Sequence, residues 1–260
     1  MQKPLILISN DDGIEAKGLN ALIDMVSDLG DIIVSAPDGP RSGRSRAFTT
    51  SEVTLHSMPT PGRYVCSGTP VDCIKMAYGL VCPRKPDLIL GGINHGDNAS
   101  TNAHYSGTIG VVFEGCMKGI PSVAFSLCDY DADANFEPMR PIVRDICRYV
   151  LANGLPPYTC LNVNVPKVDS YDELKGIRIC RMAWGRWRAE VEPQMSDVQG
   201  IDDQIYRLTG YYKNDEPDAS DTDAWALQNG FAAVTPCTID VTNYDLIERL
   251  KTNISFKTEK

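Results

Sequence analysis

The sequence predicts an α/β protein whose core is a mostly parallel, doubly wound, Rossmann-like sheet. Three observations carry this prediction: short apolar runs with the length of buried strands, segments of helical periodicity between them, and polar loops after several of the runs. The chain has 260 residues, of which 43% are hydrophobic and 23% charged. That length suits one large domain with additions.

The first βαβ unit is visible near the start of the chain. Residues 5–8 form a continuous apolar run, typical of a strand buried on both faces, and the polar loop 10–13 follows it. Apolar residues with helical spacing occupy 19–26, and Gly30 is suited to end that helix. A second strand is predicted at 32–36. This order implies parallel strands joined by a right-handed crossover.

The alternation of helices and strands continues to about residue 170. A hairpin around a Pro- and Gly-containing turn is predicted to interrupt it, and the polar, glycine-rich segment 91–98 is predicted to be a loop. The hairpin strands are predicted at 53–56 and 63–66, further helices at 70–78, 109–116 and 142–150, and further strands at 87–90, 122–126 and 160–165.

The pattern changes beyond residue 170. Strand-like runs at 177–180 and 205–208 flank an irregular stretch with Trp184 and Trp187, which predicts a β-hairpin arm. A capped helix after residue 221, a strand at 231–235 and an amphipathic tail helix at 244–250 are predicted to follow. We therefore divide the chain into a Rossmann-like core, residues 1–170, and an arm with a C-terminal segment, residues 171–260, that completes the core.

Composition restricts the partners and the type of metal site. The net charge of −9 disfavours duplex nucleic acid, because each phosphate contact would have to overcome repulsion. No apolar run is long enough for a membrane span or a signal peptide, so we expect a cytoplasmic protein without a membrane partner. Nine cysteines show no CxxC pair, and histidine occurs only at 56, 95 and 104. Any metal is therefore expected among oxygen ligands.

Polar loops follow the predicted strands at the edge of the sheet where α/β proteins bind ligands. Asp11 and Asp12 lie in the first loop, where adjacent carboxylates favour a bound cation, although an ordinary Asp-Gly turn is the simpler interpretation of this motif alone. Residues 41–45 and 91–98 form two further loops. Residues 105–108 begin a helix and offer either a phosphate-binding N-terminus or only a helix cap.

Five motifs together identify the chain with a known family. They are ISNDDG at 8–13, APDGPRSG at 36–43, SGTPVDC at 67–73, GGINHGDN at 91–98 and YSGTIGVVFEG at 105–115. In these motifs the chain resembles the SurE survival proteins, which are metal-dependent nucleoside monophosphate phosphatases. The resemblance implies a three-layer αβα fold, a catalytic core at 1–170, and an arm and tail that mediate assembly into a homodimer or a homotetramer.

The resemblance also implies a function and a set of site residues. The function is hydrolysis of nucleoside monophosphates by a 5'/3'-nucleotidase with one divalent cation, Mg or Mn, per subunit. The alternative is a non-hydrolytic nucleotide-binding or stress-response protein of the same fold. The implied metal ligands are Asp11, Asp12, Ser42 and Asn94; the phosphate-binding residues are Asn98, Ser106, Gly107, Thr108, Ser42 and Gly43; and the catalytic residues are Asp11, Asp12, Asn98 and Ser106.

Some assignments stay open at the level of sequence. A water molecule activated by the cation is the preferred nucleophile, with a direct role for one carboxylate as the alternative. His95 is a candidate proton donor, although an exposed loop imidazole is the simpler interpretation. Thr69 and Asp72 are interpreted as a helix cap and a first-turn charge rather than nucleoside ligands. Trp184 and Trp187 suit packing more than stacking on a base.

Overall fold

The protein is described by a computed structural model that covers residues 2–194 and 205–254. Its strands are β1 (Leu5–Ser9), β2 (Asp31–Pro37), β3 (Leu55–Ser57), β4 (Arg63–Cys66), β5 (Leu88–His95), β6 (Ser122–Cys128), β7 (Thr159–Pro166), β8 (Ile177–Ile179), β9 (Gly185–Arg188), β10 (Val191–Pro193), β11 (Tyr206–Leu208), β12 (Tyr211–Asn214) and β13 (Ala232–Thr238). Its α-helices are α1 (Lys17–Val26), α2 (Pro70–Leu80), α3 (Gly107–Met117), α4 (Arg140–Asn153), α5 (Asp223–Gln228) and α6 (Tyr244–Asn253).

A nine-stranded sheet in the order β3-β4-β2-β1-β5-β6-β7-β13-β8 forms the middle layer. The six strands from β4 to β7 are parallel, whereas β3 and β13 run antiparallel to their neighbours β4 and β7. Side chains of α1 and α4 pack into one apolar cluster, and those of α2 and α3 pack into another. The predicted α/β fold with three layers is confirmed.

The hairpin predicted at 53–66 extends the main sheet. Its second strand, β4, pairs in parallel with β2, and β3 then forms the edge of the sheet. The strands agree with the prediction to within two residues. The insertion therefore continues the sheet.

One strand is longer than the sequence predicts. The prediction of a loop at 91–98 is wrong for residues 91–95, because β5 continues to His95, with a register shift between Gly91 and Asn94. Glycine is a common loop signal, but Gly91 serves close packing here. A Cβ atom at this position would lie 2.8 Å from the carbonyl oxygen of Thr108, in the first turn of α3.

The arm also differs from its predicted bounds. The run predicted at 177–180 as one side of the arm forms β8, which pairs in parallel with β13 in the main sheet. The described residues of the arm form two antiparallel pairs, β9 with β12 and β10 with β11. The sequence of β8 does not distinguish this short edge strand from a strand of the arm. Within the ranges that the structure describes, none of the helices combines the length and apolar character needed to cross a bilayer.

Close packing of α1 on β5 leads to a stability prediction. A Cβ atom at Gly18 would lie 2.0 Å from the carbonyl oxygen of Ile93, so we expect Gly18→Ala to lower the free energy of unfolding by about 1–3 kcal/mol. Gly79 is a matched control, because it is also helical and has open space around the same position. Gly79→Ala is expected to leave stability unchanged or raise it by up to about 1 kcal/mol. Urea denaturation of both variants measures the difference, and equal effects would contradict the packing argument.

Candidate active site

The two adjacent aspartates follow β1 in a turn with a fixed shape. The Asn10 side chain donates to the carbonyl oxygen of Gly13 at 3.0 Å and accepts from the Gly13 amide at 3.2 Å. Gly13 has a φ of +107°, a conformation that favours glycine. The turn therefore places Asp11 and Asp12 at the carboxyl edge of the sheet, between β1 and the loop after β2.

Asp11 lies against the first turn of α3. The hydroxyl of Thr108 donates to Asp11 Oδ1 at 2.5 Å, and the Gly107 backbone also bonds to this carboxylate. Gly107 leaves the space that this approach requires, because a Cβ atom there would lie 2.7 Å from Asp11 Cβ. The first turn of α3 thus donates hydrogen bonds to Asp11, and its N-terminus also suits an anion bound nearby.

Asn94 completes the group around Thr108. Its Oδ1 lies 3.3 Å from Thr108 Oγ1, while its Nδ2 donates to the carbonyl oxygens of His95 and Gly96. These bonds orient the amide so that its oxygen faces the same hydroxyl as Asp11. Two of the predicted metal ligands, Asp11 and Asn94, are therefore held together through Thr108.

Burial works against the negative charges of the two aspartates. Burial and the neighbouring charge of Asp12 raise the pKa of Asp11 to about 6. Burial also raises the pKa of Asp12, although His95 opposes that effect. Among the described residues, Asp12 Oδ2 is buried and has no hydrogen-bond partner. A cation would offset both costs, so these residues fit a metal.

The candidate metal ligands are oxygen atoms of carboxylate, amide and hydroxyl groups. No three His, Cys, Asp or Glu residues within 2–194 and 205–254 are grouped as metal ligands. Two carboxylates with an amide oxygen and a hydroxyl form a set typical of hard divalent cations, which keep several water ligands.

Ser42 lies on the neighbouring loop. The Arg41 amide donates to the carbonyl oxygen of Asp11 at 2.7 Å, which brings Ser42 next to the aspartates. The side chain of Ser42 is exposed, and in the described part of the chain no hydrogen bond joins it to Asp11 or Asn94. Gly43 is also exposed and has a φ of +71° with open space around it.

Asn98 and Ser106 are held by their own local bonds. The amide of the Asn98 side chain donates to Ser126 Oγ at 2.9 Å, and its backbone amide donates to Asn164 Oδ1 at 2.8 Å. Ser106 caps α3 by accepting from the Ile109 amide at 3.1 Å. No hydrogen bond in the described ranges connects either residue with Asp11. Both lie on the segment that leads from β5 into α3.

The contacts of Thr69, Asp72 and His95 favour structural roles for these residues. Thr69 and Asp72 form a reciprocal capping box at the start of α2, and Asp72 also accepts from the Thr49 backbone and hydroxyl. The Nδ1 atom of His95 lies 3.0 Å from the carbonyl oxygen of Asp131, and its ring packs edge-on against Phe136. These contacts indicate that the three residues stabilise the structure around the site.

Sequence reasoning missed the buried polar residues behind the site. Asn162 and Asn164 alternate along β7 and bond to the backbone of Asn98, so they hold the loop after β5. Asp223 is fully buried and accepts from the amides of Ser100 and Ala183. Asparagine at alternate positions of an otherwise apolar strand was the signal that could have found the first two.

Comparisons with known proteins identify the family. The family model described as "Survival protein SurE" matches residues 6–189. The 5'-nucleotidase SurE of Phocaeicola vulgatus is 51% identical over 254 residues, which cover 96% of each chain. That of Chlorobaculum tepidum is 39% identical over 255 residues, covering 96% of this chain and 95% of the relative. The crystal structure of the SurE protein from Aquifex aeolicus has a TM-score of 0.83 and 35% identity, covering 96% of this chain and 99% of that one. The predicted family is confirmed: the chain belongs to the SurE family.

Proposed function

We infer that the protein is a nucleotidase that hydrolyses the 5' or 3' phosphate of nucleoside monophosphates to give nucleoside and inorganic phosphate. The observation that carries this inference is the pair of a buried Asp11 and a half-buried Asp12 beside the first turn of α3. Relatives that align over nearly the whole chain are named 5'-nucleotidase SurE, which supports the same activity.

We propose that one divalent cation, Mg or Mn, is held in each subunit by Asp11, Asp12, Asn94 and Ser42. All four offer hard oxygen atoms, and the unpartnered oxygen of Asp12 supports this assignment. When bound, such a cation polarises the phosphoryl group and makes a water molecule a stronger nucleophile. The Thr108 hydroxyl orients Asp11 in this arrangement.

The phosphate is proposed to lie at the start of α3. The amides of Gly107 and Thr108 belong to the first turn of an 11-residue helix, where backbone donors and the helix dipole favour an anion. Ser106, Asn98, Ser42 and Gly43 are the other phosphate-binding residues in this proposal. Local donors of this kind are needed because the whole chain carries a net charge of −9.

In the proposed reaction, the chain itself orients the reacting groups. Asp11 or Asp12 orients the attacking water and accepts its proton, while Ser106 and Asn98 act as catalytic residues by holding the phosphoryl oxygens as negative charge develops. The bond from the water oxygen to phosphorus forms as the bond from phosphorus to the nucleoside oxygen breaks, and that oxygen takes a proton from solvent as the nucleoside leaves. Fixed donors at the start of α3 act without reorganisation at the moment of reaction.

We also propose the assembly and location of the protein. Residues 1–170 form the catalytic core, and residues 171–260 complete it and mediate formation of a homodimer, which can pair into a homotetramer. Exposed apolar side chains on the arm and tail support this role; they include Val191, Leu208, Leu246 and Leu250. The partners are nucleoside monophosphates rather than duplex nucleic acid or membranes, and the proposed location is the cytoplasm.

Purified protein should release phosphate from nucleoside monophosphates in the presence of Mg or Mn. A chelator is expected to abolish this turnover, because the aspartate pair needs a cation, and added metal is expected to restore it. A panel of 5' and 3' monophosphates together with p-nitrophenyl phosphate gives the substrate range. Binding of nucleotides without any turnover would instead support the non-hydrolytic alternative.

Asp11→Asn is expected to separate activity from stability. Loss of one charged ligand should lower turnover by more than about 100-fold, the scale of removing an electrostatic group from an active site. In metal-free buffer the variant should melt at the same or a higher temperature, because repulsion with Asp12 is removed. Each kcal/mol recovered corresponds to roughly 2–4 °C in a chain of this size.

Cation binding gives this variant a second readout. Mg should raise the melting temperature of the wild type and leave that of Asp11→Asn nearly unchanged. Asp145→Asn is the matched control, since Asp145 is exposed and lies on α4, away from the site. A collapse of folding in Asp11→Asn would assign Asp11 a structural role.

Thr108→Val should weaken cation binding. The substitution keeps the shape of the side chain and removes the hydroxyl that joins Asp11 and Asn94. We expect the Mg concentration for half-maximal activity to rise about 10-fold or more. Thr108→Ser, which keeps the hydroxyl, should remain close to the wild type. Equal behaviour of the two variants would contradict the orienting role.

A further inference from the structure

Three cysteines lie together at the amino end of β7, on the opposite edge of the sheet from Asp11 and Asp12. Cys160 is the second residue of β7, Cys237 is its direct partner on the antiparallel strand β13, and Cys116 lies in the last turn of α3. The thiol of Cys160 donates a hydrogen bond to that of Cys116. All three are free thiols, so the pair in contact is available for reaction.

A cavity of about 230 Å³ lies beside this cluster. Cys116 is part of its wall, together with the turns 119–121 and 154–159 that precede β6 and β7. None of its described lining residues is charged, which suits a small uncharged molecule. Cys116 is 3% exposed, whereas Cys160 behind it is fully buried. Cys116 is therefore the thiol that a reagent in the cavity reaches first.

The hydrogen bond makes the two thiols unequal. It stabilises a thiolate at Cys116 and lowers the pKa of that group, although burial opposes this effect. The same bond, together with burial, raises the pKa of Cys160, so Cys160 keeps its proton. Because the thiolate is the nucleophilic form of cysteine, the first reaction belongs to Cys116.

Cys237 is a poorer reaction partner for Cys160 than Cys116 is. Its thiol donates to the carbonyl oxygen of Thr235 at 3.5 Å, away from Cys160. Burial also raises the pKa of Cys237 to about 11, which keeps it protonated at neutral pH. The contact between Cys116 and Cys160 is therefore the one that favours a covalent bond.

We propose that Cys116 and Cys160 form an oxidation site at which hydrogen peroxide produces a reversible disulfide between α3 and β7. The Cys116 thiolate attacks one peroxide oxygen, so that a sulfur–oxygen bond forms and the oxygen–oxygen bond breaks. The departing hydroxide takes up the proton that Cys116 had released and leaves as water.

The second step closes the disulfide. The sulfur of Cys160 attacks the sulfur of the Cys116 sulfenic acid, a sulfur–sulfur bond forms, and the sulfur–oxygen bond breaks. The hydroxide that leaves takes the thiol proton of Cys160 and becomes a second water molecule. Two thiols are thus oxidised while one peroxide is reduced.

The site is separate from the reacting groups but lies on the same scaffold. Cys116 is nine residues beyond Gly107, so the helix places it about 14 Å from the turn that contacts Asp11. Further along β7, Asn164 accepts from the Asn98 amide at 2.8 Å. The disulfide therefore joins the rear ends of two elements whose front ends support the candidate active site.

Mass spectrometry of the native protein after treatment with hydrogen peroxide tests the proposal. After alkylation of the remaining thiols, trypsin places Cys116 in peptide 85–118 and Cys160 in peptide 149–167, each without a second cysteine. These peptides should be joined by a bond that a dithiol reductant breaks, and at least about 5-fold more abundant than any other joined pair. Because this signal comes from the unaltered chain, it does not depend on the folding of a variant.

Two variants separate the roles of the thiols. Cys116→Ser should slow the oxidation of Cys160 at least about 10-fold, because the reactive thiolate is gone. Cys160→Ser should leave a sulfenic acid on Cys116 that dimedone traps. Cys147→Ser is the matched control and should oxidise like the wild type, because Cys147 is fully buried but packs in the apolar cluster on the other face of the sheet.

Other products of the same experiment would overturn the proposal. One is a disulfide between Cys160 and Cys237 in place of the predicted one. Another is oxidation confined to peptide 64–75, which contains Cys66 and Cys73, a second pair of hydrogen-bonded thiols. Dimedone on Cys160 in Cys116→Ser at the rate of the wild type would reverse the assigned roles, and peroxide that leaves both thiols free would exclude the site.

Discussion

Two adjacent carboxylates, one buried and one half-buried, are the constraint on which the site depends. Burial disfavours the charge of Asp11 and Asp12, and each charge disfavours the other. The protein offsets part of this cost with the Thr108 hydroxyl and the Gly107 amide. An oxygen of Asp12 still lacks a partner among the described residues. A bound cation would neutralise this remaining negative charge and would also attract a doubly charged phosphate.

Sheet order and glycine packing bring the separate parts of this site together. β1 and β5 are neighbours although about 80 residues lie between them, and α3 packs on β5 and β6 with its first turn against the loop after β1. The packing is close because Gly91 faces the carbonyl oxygen of Thr108 and Gly107 faces Asp11, where a Cβ atom would fall within 2.8 Å of each partner. These glycines are required for packing at an interface rather than for flexibility.

Elements that depend on local interactions are easier to predict from the sequence than contacts between distant parts of the chain. The apolar run of β1, its polar turn and the capped start of α3 follow local rules, so their positions were predictable. The continuation of β5 through Gly91 depends on α3 above it, and the place of β8 depends on β13. The motif predicts a phosphate-binding role for Thr108, whereas the bond of its hydroxyl to Asp11 depends on two distant segments meeting.

Asp223 links the C-terminal part of the chain to the segment before α3. Its buried carboxylate accepts from the backbone amides of Ser100, Ala183 and Ala224 at 2.7–2.9 Å, and so joins the segment before α3, the base of the arm and α5. Burial raises the pKa of Asp223, a cost that these bonds oppose. Because Ser100 has a φ of +54°, the segment before Ser106 is held in a conformation that other residues must stabilise. The base of the arm and α5 therefore help to fix the segment that leads into α3.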